Sequence, residues 1–267
     1  MRMGKKTSPW LLALVVCAVL GALQDDAQAD TIAVFENPWF TTSGTANNVK
    51  ATLVGLGHDI VSFGSGYGYD FAYAASVADI WVFPEMKAML GHHVSYGMVR
   101  YVSDWIKDGG KLINIGGGPP DTDWTWKAQA IETMTHSFNP SGPSELDDFH
   151  ANRTNFEDGP EVLPDLPNTG AIDRDTMPWY ARSVYQANGG NATTVGLFPR
   201  GEGSMIFIGW GWNFMPSADN PWVNVLERAI GQSHPVPPLP EPGVFALCGI
   251  AALGIAWRRQ RKKKRAA

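Results

Sequence analysis

The sequence predicts an α/β domain on a mostly parallel sheet, and three observations predict it. Short apolar runs rich in β-branched residues recur at Thr31–Phe35, Ala78–Phe83 and Lys111–Ile115, long enough for strands and too short for helices. Segments with helical spacing of apolar residues stand between them, at Thr45–Leu56 and His92–Lys107. Strand, helix and strand at this interval form right-handed βαβ units, whose strands are parallel.

Thr31-Ile32-Ala33-Val34-Phe35 is apolar enough to be buried on both faces, and Glu36-Asn37-Pro38-Trp39 ends it with loop composition. Ala46, Val49, Leu53, Val54 and Leu56 follow near helical spacing, with Gly57 as the stop. His58–Phe63 reads as the second strand. A Gly/Tyr-rich connection, Gly64–Tyr73, leads to the third, Ala78–Phe83, ended by Pro84-Glu85. Val94, Met98, Tyr101, Val102, Trp105 and Ile106 make one apolar stripe of the helix His92–Lys107, closed by Asp108-Gly109-Gly110. Lys111–Ile115 then runs into Gly116-Gly117-Gly118.

From 119 to 178 the pattern breaks. Twelve Asp/Glu stand against three Lys/Arg, and one helix is expected, near Trp124–Met134. A stretch this long predicts an acidic insertion over the sheet's carboxyl edge. Regularity returns with strands at Ala181–Gln186, Thr193–Pro199 and Ser204–Gly209, joined by the turns Asn188-Gly189-Gly190 and Arg200-Gly201-Glu202-Gly203 and therefore antiparallel. Pro221–Ile230 is the closing helix, and 233–239 is a stiff Pro-rich spacer.

Both ends read as addresses. Residues 1–29 carry a charged start, an apolar stretch Trp10–Leu23 and Ala27-Gln28-Ala29 before Asp30, the pattern of a secretory signal peptide cut after Ala29 by signal peptidase. At the other end stand Pro240-Glu241-Pro242, a 14-residue apolar run Val244–Trp257 and seven Lys/Arg within Arg258–Arg265. Basic residues beside an apolar helix are retained on the cytoplasmic side, so a single C-terminal transmembrane helix is expected over 244–257.

Residues 240–267 resemble the PEP-CTERM sorting tail of Gram-negative, biofilm-forming bacteria: a Pro-Glu-Pro motif, a short apolar helix and a basic end, in that order. The resemblance implies secretion, an inner-membrane stage with the mature domain in the periplasm, and processing by an exosortase-type membrane protease. The destination it implies is the cell surface or extracellular matrix. The tail here mixes Lys with Arg, a small departure.

Between Asp30 and Leu239, 11 Lys/Arg face 23 Asp/Glu, so the region left after trimming is near −12. Such a surface repels nucleic acid and suits cations, polysaccharide or plain solubility. Cys17 and Cys248 both fall in the apolar ends. The region 30–232 therefore holds no disulfide, thiolate ligand or cysteine nucleophile.

Ile32–Phe35, Ala78–Pro84, the Tyr101–Gly110 helix into Lys111–Gly118, and Gly203–Trp210 with its terminal helix resemble the class I glutamine amidotransferase-like domain. That resemblance implies a flavodoxin-like three-layer sandwich. It also implies a Cys on the turn after the fourth strand, activated by a His and a carboxylate. Here that turn reads Asn114-Ile115-Gly116-Gly117-Gly118, no G-x-S-x-G occurs, and the late strand runs into Trp210-Gly211-Trp212-Asn213 instead of a His-x-Glu pair. The domain is expected to be non-catalytic and to need no cofactor.

Glu36 and Glu85 both follow strands, which places them at the carboxyl edge where open α/β sheets bind ligands. They suit acid/base chemistry in an envelope hydrolase, or serve as caps and solvated loop charges. His92-His93 with Asp121 or Asp123 lack metal-ligand spacing, so no metal site is assigned. Gly116-Gly117-Gly118 satisfies no phosphate-loop pattern and reads as a tight turn. Trp39, Trp124, Trp126, Trp210 and Trp212 suggest a stacking platform for glycans such as exopolysaccharide. The alternative is that they pack the insertion onto the sheet.

Overall fold

A computed structural model describes residues 30–64, 68–87, 95–116, 136–138, 140 and 142–233. The first half alternates strands and helices: β1 (Thr31–Phe35), α1 (Ser43–Gly55), β2 (Asp59–Phe63), α2 (Gly68–Val77), β3 (Ile80–Phe83), α3 (Tyr96–Lys107) and β4 (Lys111–Ile115). The second half is strand-rich: β5 (His136–Phe138), β6 (Ser144–Leu146), the one-turn α4 (Asp148–Ala151), β7 (Val162–Leu163), β8 (Gly170–Asp173), β9 (Arg182–Ala187), β10 (Ala192–Arg200) and β11 (Gly203–Ile208), closed by α5 (Pro221–Gly231).

All eleven strands join one sheet, ordered β2-β1-β3-β4-β11-β10-β9-β6-β7, with β8 on β10 and β5 on β8. The pairings β1–β2, β1–β3, β3–β4 and β4–β11 are parallel. From β11 onward every pairing is antiparallel. The sheet is thus mixed, half parallel and half antiparallel, where the sequence suggests a mostly parallel one.

The alternation of each parallel strand divides the core into two layers. Ile32, Val34, Val82, Ile113 and Ile206 face Val49 and Leu53 of α1 and Val225 and Leu226 of α5. Ala33, Phe35, Phe83, Leu112 and Phe207 face Phe71 and Ala74 of α2 and Val102 and Ile106 of α3. Burying one such aliphatic or aromatic side chain contributes about 1.5–3 kcal/mol. Strands apolar on both faces need helices on both sides, and this gives the three layers. Ser95 and Asn220 cap α3 and α5 by accepting from Met98 N and Trp222 N.

Three expectations are corrected here. The described part of the acidic stretch 119–178 does not stand apart from the sheet as an insertion: it supplies β5 to β8, which pair into the sheet and widen it beyond β11. The Gly/Tyr-rich connection carries a helix, α2. No helix among the described residues is long and apolar enough to cross a membrane, which overturns the fold class with a C-terminal transmembrane helix. Physically, the 14 residues 244–257 would reach only about 21 Å across a hydrocarbon core of about 30 Å. That segment, the helix expected near 124–134, and residues 1–29 and 234–267 lie outside the described residues.

Candidate functional site

Parallel strands end together, so the residues just after β1, β3, β4 and β11 share one rim. Four of them are Glu36, Glu85, Gly116 and Gly211. The two carboxylates identified from sequence do share this rim, but their surroundings differ.

Glu36 is paired. Its Oε2 lies 2.6 Å from Lys50 Nζ of α1, and this hydrogen bond holds the carboxyl below the usual carboxylate range despite partial burial. Half-exposed ion pairs of this kind contribute about 1 kcal/mol or less.

Glu85 has no such partner among the described residues. No hydrogen-bond donor or cation contacts its carboxylate among the described residues, and burial alone pushes its proton affinity above the ordinary value. Two glycines make room for it. A β-carbon on Gly116, where φ is +96°, would stand 2.7 Å from Glu85 Cβ; one on Gly211 would stand 2.8 Å from Oε2. The side chain therefore lies across the ends of β4 and β11, the middle of the parallel half. Its backbone is fixed by α1 and the loop before it: Glu85 O accepts from Thr42 N at 3.2 Å and from Thr45 Oγ1 at 3.5 Å, and Lys87 N donates to Phe40 O at 2.7 Å.

The loop Glu36–Thr42 is itself knotted by Asn37, whose Oδ1 accepts from Trp39 N at 2.9 Å and whose amide donates to Gly64 O. Trp39 stands 81 % exposed on that loop, on the same rim as Glu85. Beyond Gly211, Phe214 and Met215 are also exposed.

Trp210 and Trp212, expected to present stacking faces, are wholly buried, with ring centroids 4.5 Å apart. Trp212 folds back into the core because its backbone turns left-handed, at φ +54°. Its Nε1 donates to Thr52 Oγ1 at 3.2 Å, and its carbonyl accepts from Asn48 Nδ2 at 2.9 Å, both from α1. They leave no open face for a sugar ring, which corrects that assignment. The next residue, Asn213, holds a buried Nδ2 with no acceptor among the described residues. Trp179 is exposed, but it precedes β9, whose Arg182 registers with Leu197 and so with Ile206 in mid-β11. It belongs toward the opposite, amino edge.

Trp124, Trp126, His92, His93, Asp121, Asp123, the sorting residues Pro240, Glu241 and Pro242, and Ala27 and Ala29 lie outside the described residues. Asp30 is exposed immediately before β1.

Sequence reasoning did not find a second polar cluster. Asp147 Oδ2 accepts from His150 Nδ1 at 2.8 Å and from Gln186 Nε2, with Arg174 Nη2 at 3.8 Å. Burial pushes Asp147 up, but the His150 hydrogen bonds and the Arg174 charge outweigh it and hold the carboxyl below its usual range. No hydroxyl is hydrogen-bonded to the His150 ring among the described residues. This cluster clamps α4 to β9 and assembles no triad. Only the D-D-F-H run in the sequence hints at it.

No family model and no curated protein matches the chain. Several solved structures do. A ThuA-like protein from Parabacteroides merdae aligns with TM-score 0.51 at 13% identity, over 77% of this chain and 92% of that one. A glutamine amidotransferase from Thermotoga maritima aligns with TM-score 0.44 at 10% identity, over 70% and 77% of the two chains. The exo-β-1,4-mannosidase Op5Man5 from Opitutaceae bacterium strain TAV5 aligns with TM-score 0.45 at 13% identity, over 76% of this chain but 34% of the enzyme. The structural neighbours thus include a glutamine amidotransferase-like fold at low identity, and the likeness is one of fold alone.

Proposed function

We propose that this chain is an exported protein of the cell envelope or extracellular matrix, processed by signal peptidase and an exosortase-type system, whose α/β domain binds a ligand without acyl-transfer chemistry. The observation that carries the reading is the rim after β4. Where the amidotransferase resemblance calls for a cysteine, Gly116 is covered by the side chain of Glu85. A carboxylate in that place suits recognition, and 30–232 contains no thiol to replace it. The A-x-A pattern at Ala27–Ala29 and the Pro240-Glu241-Pro242 motif support export and sorting.

The test pairs two assays on the purified full chain. Retention on exopolysaccharide from the host is expected above buffer controls, with no ammonia released from glutamine. Ammonia release that survives purification to homogeneity would remove the non-catalytic reading.

A second reading rests on the same residue. A half-buried carboxyl with raised proton affinity and no cation beside it among the described residues suits the acid of an envelope hydrolase. Glu85→Gln separates the two: a hydrolase loses turnover by about a hundredfold or more, whereas a binder has no turnover to lose.

A further inference from the structure

We infer that the Glu85 rim receives a hydroxylated primary amine, the chemistry of an amino sugar, with the ligand's ammonium as the counter-charge that the described protein does not supply to Glu85. The inference rests on the ligand-site reading above and adds what the ligand must carry.

The first argument is charge. A half-buried carboxylate without a cation is costly, and an arriving cation offsets part of that cost. Glu36 has Lys50 at 2.6 Å, so the rim already holds one neutralised carboxylate beside one that is not. Lys87, two residues from Glu85, is exposed and forms no ion pair with it. The excess of 23 Asp/Glu over 11 Lys/Arg between Asp30 and Leu239 draws cations and repels anions.

The second argument is access. Oε2 lies against the bare Cα of Gly211, and no side chain from that position intervenes. The third is the aromatic rim. Trp39, 81 % exposed, presents an indole to solvent at this same edge. An indole face favours a cation or the C–H face of a pyranose ring. An ammonium and an apolar ring face occur together in a hexosamine.

Calorimetric titration of the full chain near pH 7 with glucosamine, N-acetylglucosamine, glucose and putrescine tests this. Glucosamine is expected to bind at least about tenfold more tightly than N-acetylglucosamine or glucose, and putrescine to bind more weakly than glucosamine. Glu85→Gln should abolish the preference for the amine, and Trp39→Ala should weaken glucosamine several-fold, while both variants keep the wild-type circular dichroism. Equal binding of glucosamine and glucose overturns the ammonium requirement and leaves Glu85 as a site for neutral sugar. Binding that Glu85→Gln does not alter overturns the site itself. No heat from any of the four at millimolar concentration overturns the amine assignment, while exopolysaccharide retention still reports on the broader reading.

Discussion

Glu85 and Gly211 touch across the end of the parallel half-sheet: a β-carbon on Gly211 would stand 2.8 Å from Glu85 Oε2. Glycine at 211 makes room for a neighbour and is not needed by its own backbone, because its φ is not positive. The Glu85 carboxylate is the free end of a flexible side chain and can swing away. Gly211→Ala is therefore expected to leave stability within about 1 kcal/mol of wild type while displacing the carboxylate and weakening ligand retention. Urea unfolding and retention assays on one preparation check both halves.

Gly116→Ala is a different case. The new methyl meets Glu85 Cβ and Cα, at 2.7 and 3.0 Å, and the backbone there holds φ +96°. Overpacking and left-handed strain combine, so a loss of about 2–4 kcal/mol is expected from urea unfolding. A loss no larger than that of Gly211→Ala would contradict the described turn.

Two tryptophans divide in the same way. Trp212→Ala empties a wholly buried site and breaks the hydrogen bond to Thr52, for an expected loss of about 3–5 kcal/mol. Trp39→Ala, at an exposed loop position, should change stability by about 0.5 kcal/mol or less. Thermal melts of the two variants side by side decide whether either residue is placed wrongly.

Lys111 makes a pH signature. It is 7 % exposed, its ammonium donates to Ile230 O at the end of α5, and burial lowers it from 10.5 to about 8, partly opposed by the charge of Asp30. A lysine depressed in the folded state costs stability while the unfolded chain is protonated and the folded one resists it. That cost is fully present below about pH 8 and disappears as pH rises to 10.5. Wild type should therefore gain stability relative to Lys111→Met across that window, by roughly 3 kcal/mol. A flat difference between pH 8 and 10.5 would show that the ammonium is solvated.

Much of the fold is legible in the sequence. Residues 32–35, 80–83 and 111–115 are buried on both faces, and largely apolar runs of that length allow few other fates. β5 to β8 were hidden because they are two to four residues long and sit among Pro, Asp and Asn, where pairing comes from β9 and β10 and not from local propensity. Glu85 was legible as a residue following a strand. Its cradle was not, since nothing in sequence brings Gly211 within reach of it across 126 positions. Trp210 and Trp212 looked like rim residues because they follow a strand; the left-handed turn at Trp212 carries them inward, and a bulky residue gives no local sign of that conformation.

The same carboxyl sets the direction of a second pH effect. Glu85 is raised in the folded state, so its contribution to stability is full below the ordinary carboxylate range and is lost as pH rises through its folded value. Glu85→Gln should be more stable than wild type at neutral pH and lose that advantage on acidification.

The measurement that bears most directly on the site is the titration of the Glu85 carboxyl carbon by NMR in the free full chain, assigned by comparison with Glu85→Gln. The account predicts a midpoint above the ordinary glutamate value, moving down when glucosamine is added because an ammonium stabilises the carboxylate. A midpoint at the ordinary value in the free protein would mean that Glu85 is solvated, and one below it that Glu85 already has a partner; either result would contradict the ligand site proposed for this rim.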